Sequence, residues 1–95
     1  MRWIVSINIV VFIKPNISVF RYFGEKLSLL REVTLLEEGC DIFDFYTYAD
    51  KYVLIERWES QESIDLHMNK NYTLSFIEQT KDSLISTEVF RLKNF

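Results

Sequence analysis

The sequence predicts an α+β domain built on an antiparallel sheet, and three observations predict it. Segments rich in β-branched and aromatic residues alternate with segments of helical period, in the order strand, helix, strand, strand, helix, strand. The chain has 95 residues, enough for one hydrophobic core and too few for two, so residues 1–95 are expected to form a single domain. It is 48% hydrophobic and 16% aromatic with two Gly and one Pro, a composition of dense folds with short loops rather than of disorder. A lone small domain has little use for so much apolar surface, and the excess points to a second subunit covering part of it.

The first strand is expected over Trp3 to Ile13, where Ile4, Val5, Ile7, Ile9, Val10, Val11 and Ile13 dominate and Pro15 ends the run. Trp3, Val5, Ile7, Ile9, Val11 and Ile13 share one face; Ile4, Ser6, Asn8, Val10 and Phe12 share the other. Both are apolar enough to be buried. After Pro15-Asn16, Ser18 is the expected cap of a long helix with Phe20, Phe23, Leu27 and Leu30 at helical spacing. That helix should run to about Glu37 and close before Gly39, a residue suited to the left-handed conformation.

The period then changes. Ile42 to Tyr48 and Tyr52 to Trp58, joined by Ala49-Asp50-Lys51, read as a hairpin. Ser60 caps a short helix with Ser63 at the capping-box position, and Ile64, His67 and Met68 share its inner face. Asn69-Lys70-Asn71 interrupts it, and Leu74, Ile77, Thr80 and Leu84 mark a further helical stretch. Ile85 to Leu92, with Val89 and Phe90, forms the last strand. This order is the split βαβ pattern of the ferredoxin-like fold. Its crossovers put the helices on one face of the sheet, so the bare apolar face should dimerise.

Net charge is −3 and the basic residues are scattered, which excludes the basic stripe that nucleic-acid phosphates require. Cys40 is the only cysteine, so no intrachain disulfide forms, and no Cys/His cluster has metal-ligand spacing. The run from Trp3 to Ile13 is too short to span a bilayer and lacks a cleavage site, so a cytoplasmic protein with no membrane partner is expected.

Glu38-Gly39-Cys40 after a long helix, Glu56-Arg57-Trp58-Glu59-Ser60 closing a hairpin and His67 seven residues beyond Ser60 together resemble the antibiotic biosynthesis monooxygenase family. The resemblance covers roughly Ile4 to Leu92. It implies a dimeric α+β barrel, two sheets face to face, with a pocket between sheet and helices in each subunit. It also implies cofactor-free oxidation of a small phenol or hydroquinone, closest in flavour to the quinol monooxygenase-like members. Many relatives carry a second histidine four residues after the first; here Asn71 stands there, followed by Tyr72, and an amide cannot accept a proton at neutral pH. Haem-degrading relatives resemble the chain in an asparagine on the first strand, matched by Asn8. Their haem-ligating histidine has no counterpart near Phe76 and Ile77, which argues against haem.

The resemblance points to His67 as a general base for a phenolic proton, since an imidazole titrates near working pH. The plainer reading is a buried histidine satisfied by Glu56 or a backbone carbonyl. Asn8 interrupts an apolar strand, and an unpaired buried amide costs roughly 1–3 kcal/mol, so it must bond either a substrate oxygen or a neighbour. Glu56 and Trp58 alternate onto one strand face and could line a pocket together; Glu56 would orient His67 or pair with an interface arginine, and Trp58 would wall the pocket or fill the core. Asn71, Tyr72, Phe76 and Tyr46 are the remaining candidates for contact with a flat aromatic substrate. Two other functions fit the same residues: an oxygen-independent isomerase of a small signalling molecule, and a dimeric ligand-binding or stress-response module that transforms nothing.

Overall fold

A computed structural model describes residues 5–95. Its elements are β1 (Ile7–Pro15), α1 (Phe20–Thr34), β2 (Cys40–Tyr48), β3 (Lys51–Trp58), α2 (Gln61–Met68), α3 (Asn71–Thr80) and β4 (Leu84–Leu92), with 3-10 turns at Ile17–Val19 and Lys81–Ser83. The strands lie in the order β2-β3-β1-β4 with every pair antiparallel, the ferredoxin-like arrangement. Trp3 and Ile4, expected in the first strand, lie outside the described residues, and β1 begins at Ile7.

Several local expectations are corrected. Ser18 does not cap the long helix; Asn16 Oδ1 accepts from both the Ser18 amide at 3.0 Å and its hydroxyl at 2.8 Å, which occupies the serine as a donor. Helix α1 starts two residues later, without a side-chain cap. It is α-helical only to Thr34, after which tight turns through Leu36→Val33 and Glu37→Thr34 amide bonds carry the chain to Glu37. Gly39 then reverses it with φ +86, and a Cβ there would lie 2.1 Å from Ser63 Oγ, so both conformation and space require glycine. Ser60 caps α2 as expected, accepting from the Ser63 amide at 3.2 Å.

The phase of the later helices also differs. Met68 is 46% exposed, and α3 turns out Leu74 and Ile77 while burying Thr73 and Thr80, with Phe76 packed on the core. The inner face of α3 is taken by Tyr72, Thr73, Phe76 and Thr80, so hydrophobicity alone picks the wrong stripe there. The buried Thr80 hydroxyl is satisfied by the Phe76 carbonyl at 2.7 Å. Leu84 opens β4 instead of closing α3.

All three helices pack on one sheet face. Val11 and Ile13 of β1, Phe43 of β2, and Tyr52, Leu54 and Trp58 of β3 meet Phe23, Leu27 and Leu30 of α1. Complete burial of a side chain such as Phe23 or Leu27 contributes about 1.5–3 kcal/mol. By alternation and register the opposite face carries Asn8, Val10, Phe12, Val53, Ile55, Arg57, Phe90 and Leu92, and among the described residues no helix covers it. Phe12 and Phe90 meet there edge to face at 5.9 Å, and Ile55 is 40% exposed.

Candidate active site

The site begins with three polar side chains that separate elements bring to one buried point. His67, in the last turn of α2, is 5% exposed. Its Nδ1 lies 2.7 Å from Oε2 of Glu37, which leaves the turn after α1. Tyr72, in the first turn of α3, donates its hydroxyl to the same Oε2 at 2.5 Å. Burial, and then the Glu37 carboxylate that holds its proton, push the Tyr72 phenol well above its usual range.

Aromatic rings enclose the imidazole. Trp58 lies 4.8 Å from it between ring centres and Phe43 5.7 Å. Among the described residues Nε2 has no hydrogen-bond partner, and it is not one of the fully occluded partnerless polar atoms, which are the hydroxyls of Thr34 and Thr73. Among the described residues His67 is therefore bonded through Nδ1 and has no partner at Nε2.

Glu56 lies near the histidine but does not hydrogen-bond it, so the first of its two expected roles, orienting His67, falls to another residue. Glu56 Oε1 accepts from the Trp58 indole N–H at 2.9 Å, a bond between residues two apart on one strand face, and the imidazole's partner is Glu37 instead. Burial raises the Glu56 carboxyl above its ordinary range, partly countered by the Trp58 bond and by His67. Cys40 shares this surrounding: burial, then Glu37, Glu56 and Asp41, push its thiol up to about 11, which keeps it protonated.

Tyr72 and Phe76 open outward onto a groove between α1 and α3 of about 190 Å³, whose other walls include Lys26, Leu29, Leu30 and Val33. Phe76 stands edge to face on Phe23 at 5.7 Å, which anchors this wall in the core. Asn8 is elsewhere. Its Oδ1 accepts from Arg57 Nε at 2.9 Å on the sheet face away from the helices, directly across the β1–β3 register. Tyr46 is 56% exposed on β2, within 3.5 Å of Asp44 Oδ2, and Asn71 is exposed at the start of α3. The structure thus gathers His67, Trp58, Glu56 and Tyr72 into one neighbourhood, with Phe76 on the adjoining groove, and leaves Asn8, Tyr46 and Asn71 outside it.

The residue missed in the sequence is Glu37. A signal was present: the buried stripe Phe23, Leu27, Leu30 and Thr34 of α1 continues at its own spacing to position 37, where a carboxylate stands instead of an apolar residue. Among the described residues no group of three or more His, Cys, Asp or Glu side chains is arranged to hold a metal ion. No helix there is long and apolar enough to cross a membrane.

A ferredoxin-like sheet backed on one face by helices, with a partnered histidine and an indole beneath them, defines a small α+β domain with a single-histidine site. Residues 6–79 match the family model of the antibiotic biosynthesis monooxygenases, and the chain belongs to that family. No curated protein matches it. Solved structures share its fold. Rv0793 from Mycobacterium tuberculosis has a TM-score of 0.88 at 22% identity, over 96% of each chain. PA3566 from Pseudomonas aeruginosa has a TM-score of 0.92 at 16% identity, over 100% of this chain and 99% of that one. An antibiotic biosynthesis monooxygenase has a TM-score of 0.87 at 14% identity, over 94% and 98%.

Proposed function

We propose that the protein is a cofactor-independent monooxygenase of a small phenolic or quinol compound, with His67 as the base. The observation that carries this reading is a buried imidazole held through Nδ1 while Nε2 has no partner among the described residues. Nε2 takes the phenolic proton, and the electron-rich anion reduces oxygen directly. For a quinol the reaction balances without a cofactor: the substrate gives up two hydrogens, the phenolic one among them, one atom of O2 becomes a hydroxyl oxygen on the resulting quinone, and the other leaves with those two hydrogens as water.

Trp58 walls the site, Glu56 fixes the indole, and Tyr72 and Phe76 offer aromatic faces to a flat ring. The uncovered apolar sheet face, with Val10, Phe12, Val53, Ile55 and Phe90, packs against a second copy of the chain, which makes Asn8 and Arg57 interface residues.

The test is oxygen uptake with hydroquinones and naphthalenediols, corrected for autoxidation, comparing wild type with His67→Ala. Uptake that the variant loses supports the reading. No uptake above background refutes it and leaves an isomerase or a binding module.

A further inference from the structure

We propose that Glu37 is the positioning residue of this site: by taking hydrogen bonds from His67 Nδ1 and Tyr72 Oη at a single oxygen, it holds the imidazole as the Nδ1–H tautomer and leaves the Nε2 lone pair to accept a proton. The inference rests on His67 being the base, but its structural half stands without any turnover.

A carboxylate oxygen only accepts, so the group 2.7 Å from it must donate. The opposite tautomer would set a nitrogen lone pair against Oε2 at that distance, in a pocket where both side chains are 6% exposed and the low local dielectric leaves the repulsion strong. Tyr72 strengthens the arrangement. Its hydroxyl, 2.5 Å from the same oxygen, has no role there except as donor, and it ties Glu37 to α3 while the histidine ties it to α2. Three elements therefore converge on one atom, and the carboxylate cannot rotate without losing both bonds.

The chemical consequence follows from charge. When Nε2 accepts a proton the ring becomes a cation, and a carboxylate already in contact with Nδ1 stabilises that charge as it develops, more than in the resting complex. Glu37 touches the base and not the substrate. Its loss should therefore lower kcat and spare KM.

His67 is the only histidine in the chain, so selective 15N-histidine labelling reports one ring. At a pH where the ring is neutral, wild type should show the Nδ1–H tautomer. Glu37→Gln, whose amide can donate to Nδ1, should show the Nε2–H form or a mixture, while Tyr72→Phe keeps the wild-type form. With naphthalene-1,4-diol as the probe, Glu37→Gln should lose roughly 100-fold or more in kcat, the contribution of a positioned base, with KM within about twofold. An Nε2–H ring in wild type overturns the proposal even if no variant folds. So does a Glu37→Gln spectrum unchanged from wild type, or a flipped tautomer with undiminished kcat. If wild type shows the Nδ1–H ring but no oxygen uptake, the monooxygenase reading fails while the positioning by Glu37 stands.

Discussion

Gly24→Ala in the middle of α1 tests whether packing or helix propensity governs this helix. Propensity alone predicts that alanine stabilises an interior helical position by about 1 kcal/mol. The structure predicts the opposite sign. A Cβ on Gly24 would lie 2.3 Å from Tyr52 Oη, 2.9 Å from Cζ and 3.2 Å from Cε1. Tyr52 is 4% exposed, stacked on Phe20 at 4.4 Å, and its hydroxyl donates to the Phe20 carbonyl at 2.6 Å. To restore a contact of roughly 3.5–4.0 Å the ring must retreat by more than 1 Å. That retreat breaks a hydrogen bond worth about 1 kcal/mol and overpacks the core at a cost of about 1–3 kcal/mol. Against the propensity gain, the net loss is about 1–3 kcal/mol. Urea denaturation of wild type, Gly24→Ala, Tyr52→Phe and the double variant measures it. In the Tyr52→Phe background the closest contact is gone, so alanine should cost about 1 kcal/mol less. A stabilised Gly24→Ala, or an equal effect in both backgrounds, would refute the packing argument.

The other predictions concern charge and assembly. Because its thiol is pushed from 9.0 up to about 11, Cys40 should alkylate with iodoacetamide at pH 8 about 100-fold more slowly than an unperturbed thiol; a rate matching a free thiol counts against the buried acidic surrounding. Glu56 is raised by burial, so the folded state favours its protonated form: this contribution is complete below the ordinary 4.5 and is lost as pH rises through the elevated value. The denaturation midpoint should accordingly decline with rising pH less steeply in Glu56→Gln than in wild type, and identical slopes would exclude the effect. Wild type should sediment as a dimer at micromolar concentration and Ile55→Glu, at the centre of the uncovered sheet face, as a folded monomer. A monomeric wild type would remove the account of that face.

The order of elements was legible because each is written in local terms. β-branched runs, helical spacing, Pro15 at the end of a strand, Gly39 at a reversal and Ser60 before a helix act within a few residues, and the strand order of a split βαβ pattern follows from them. His67 as an inward-facing residue was legible too, since it shares the inner stripe of α2 with Ile64. What the sequence left open was the choice between surfaces that look alike. Both faces of β1 are apolar, so composition could not tell that Ile9, Val11 and Ile13 face the helices while Asn8 faces Arg57. The partner of His67 lies thirty residues away at Glu37, and Glu56, far nearer in sequence, turns to its own strand neighbour Trp58. A local signal constrains backbone conformation, because it acts through steric and hydrogen-bond terms that reach one turn of helix or one step of strand. Which carboxylate meets an imidazole is set by where the turn after α1, α2 and α3 come together, and only the packed structure decides that.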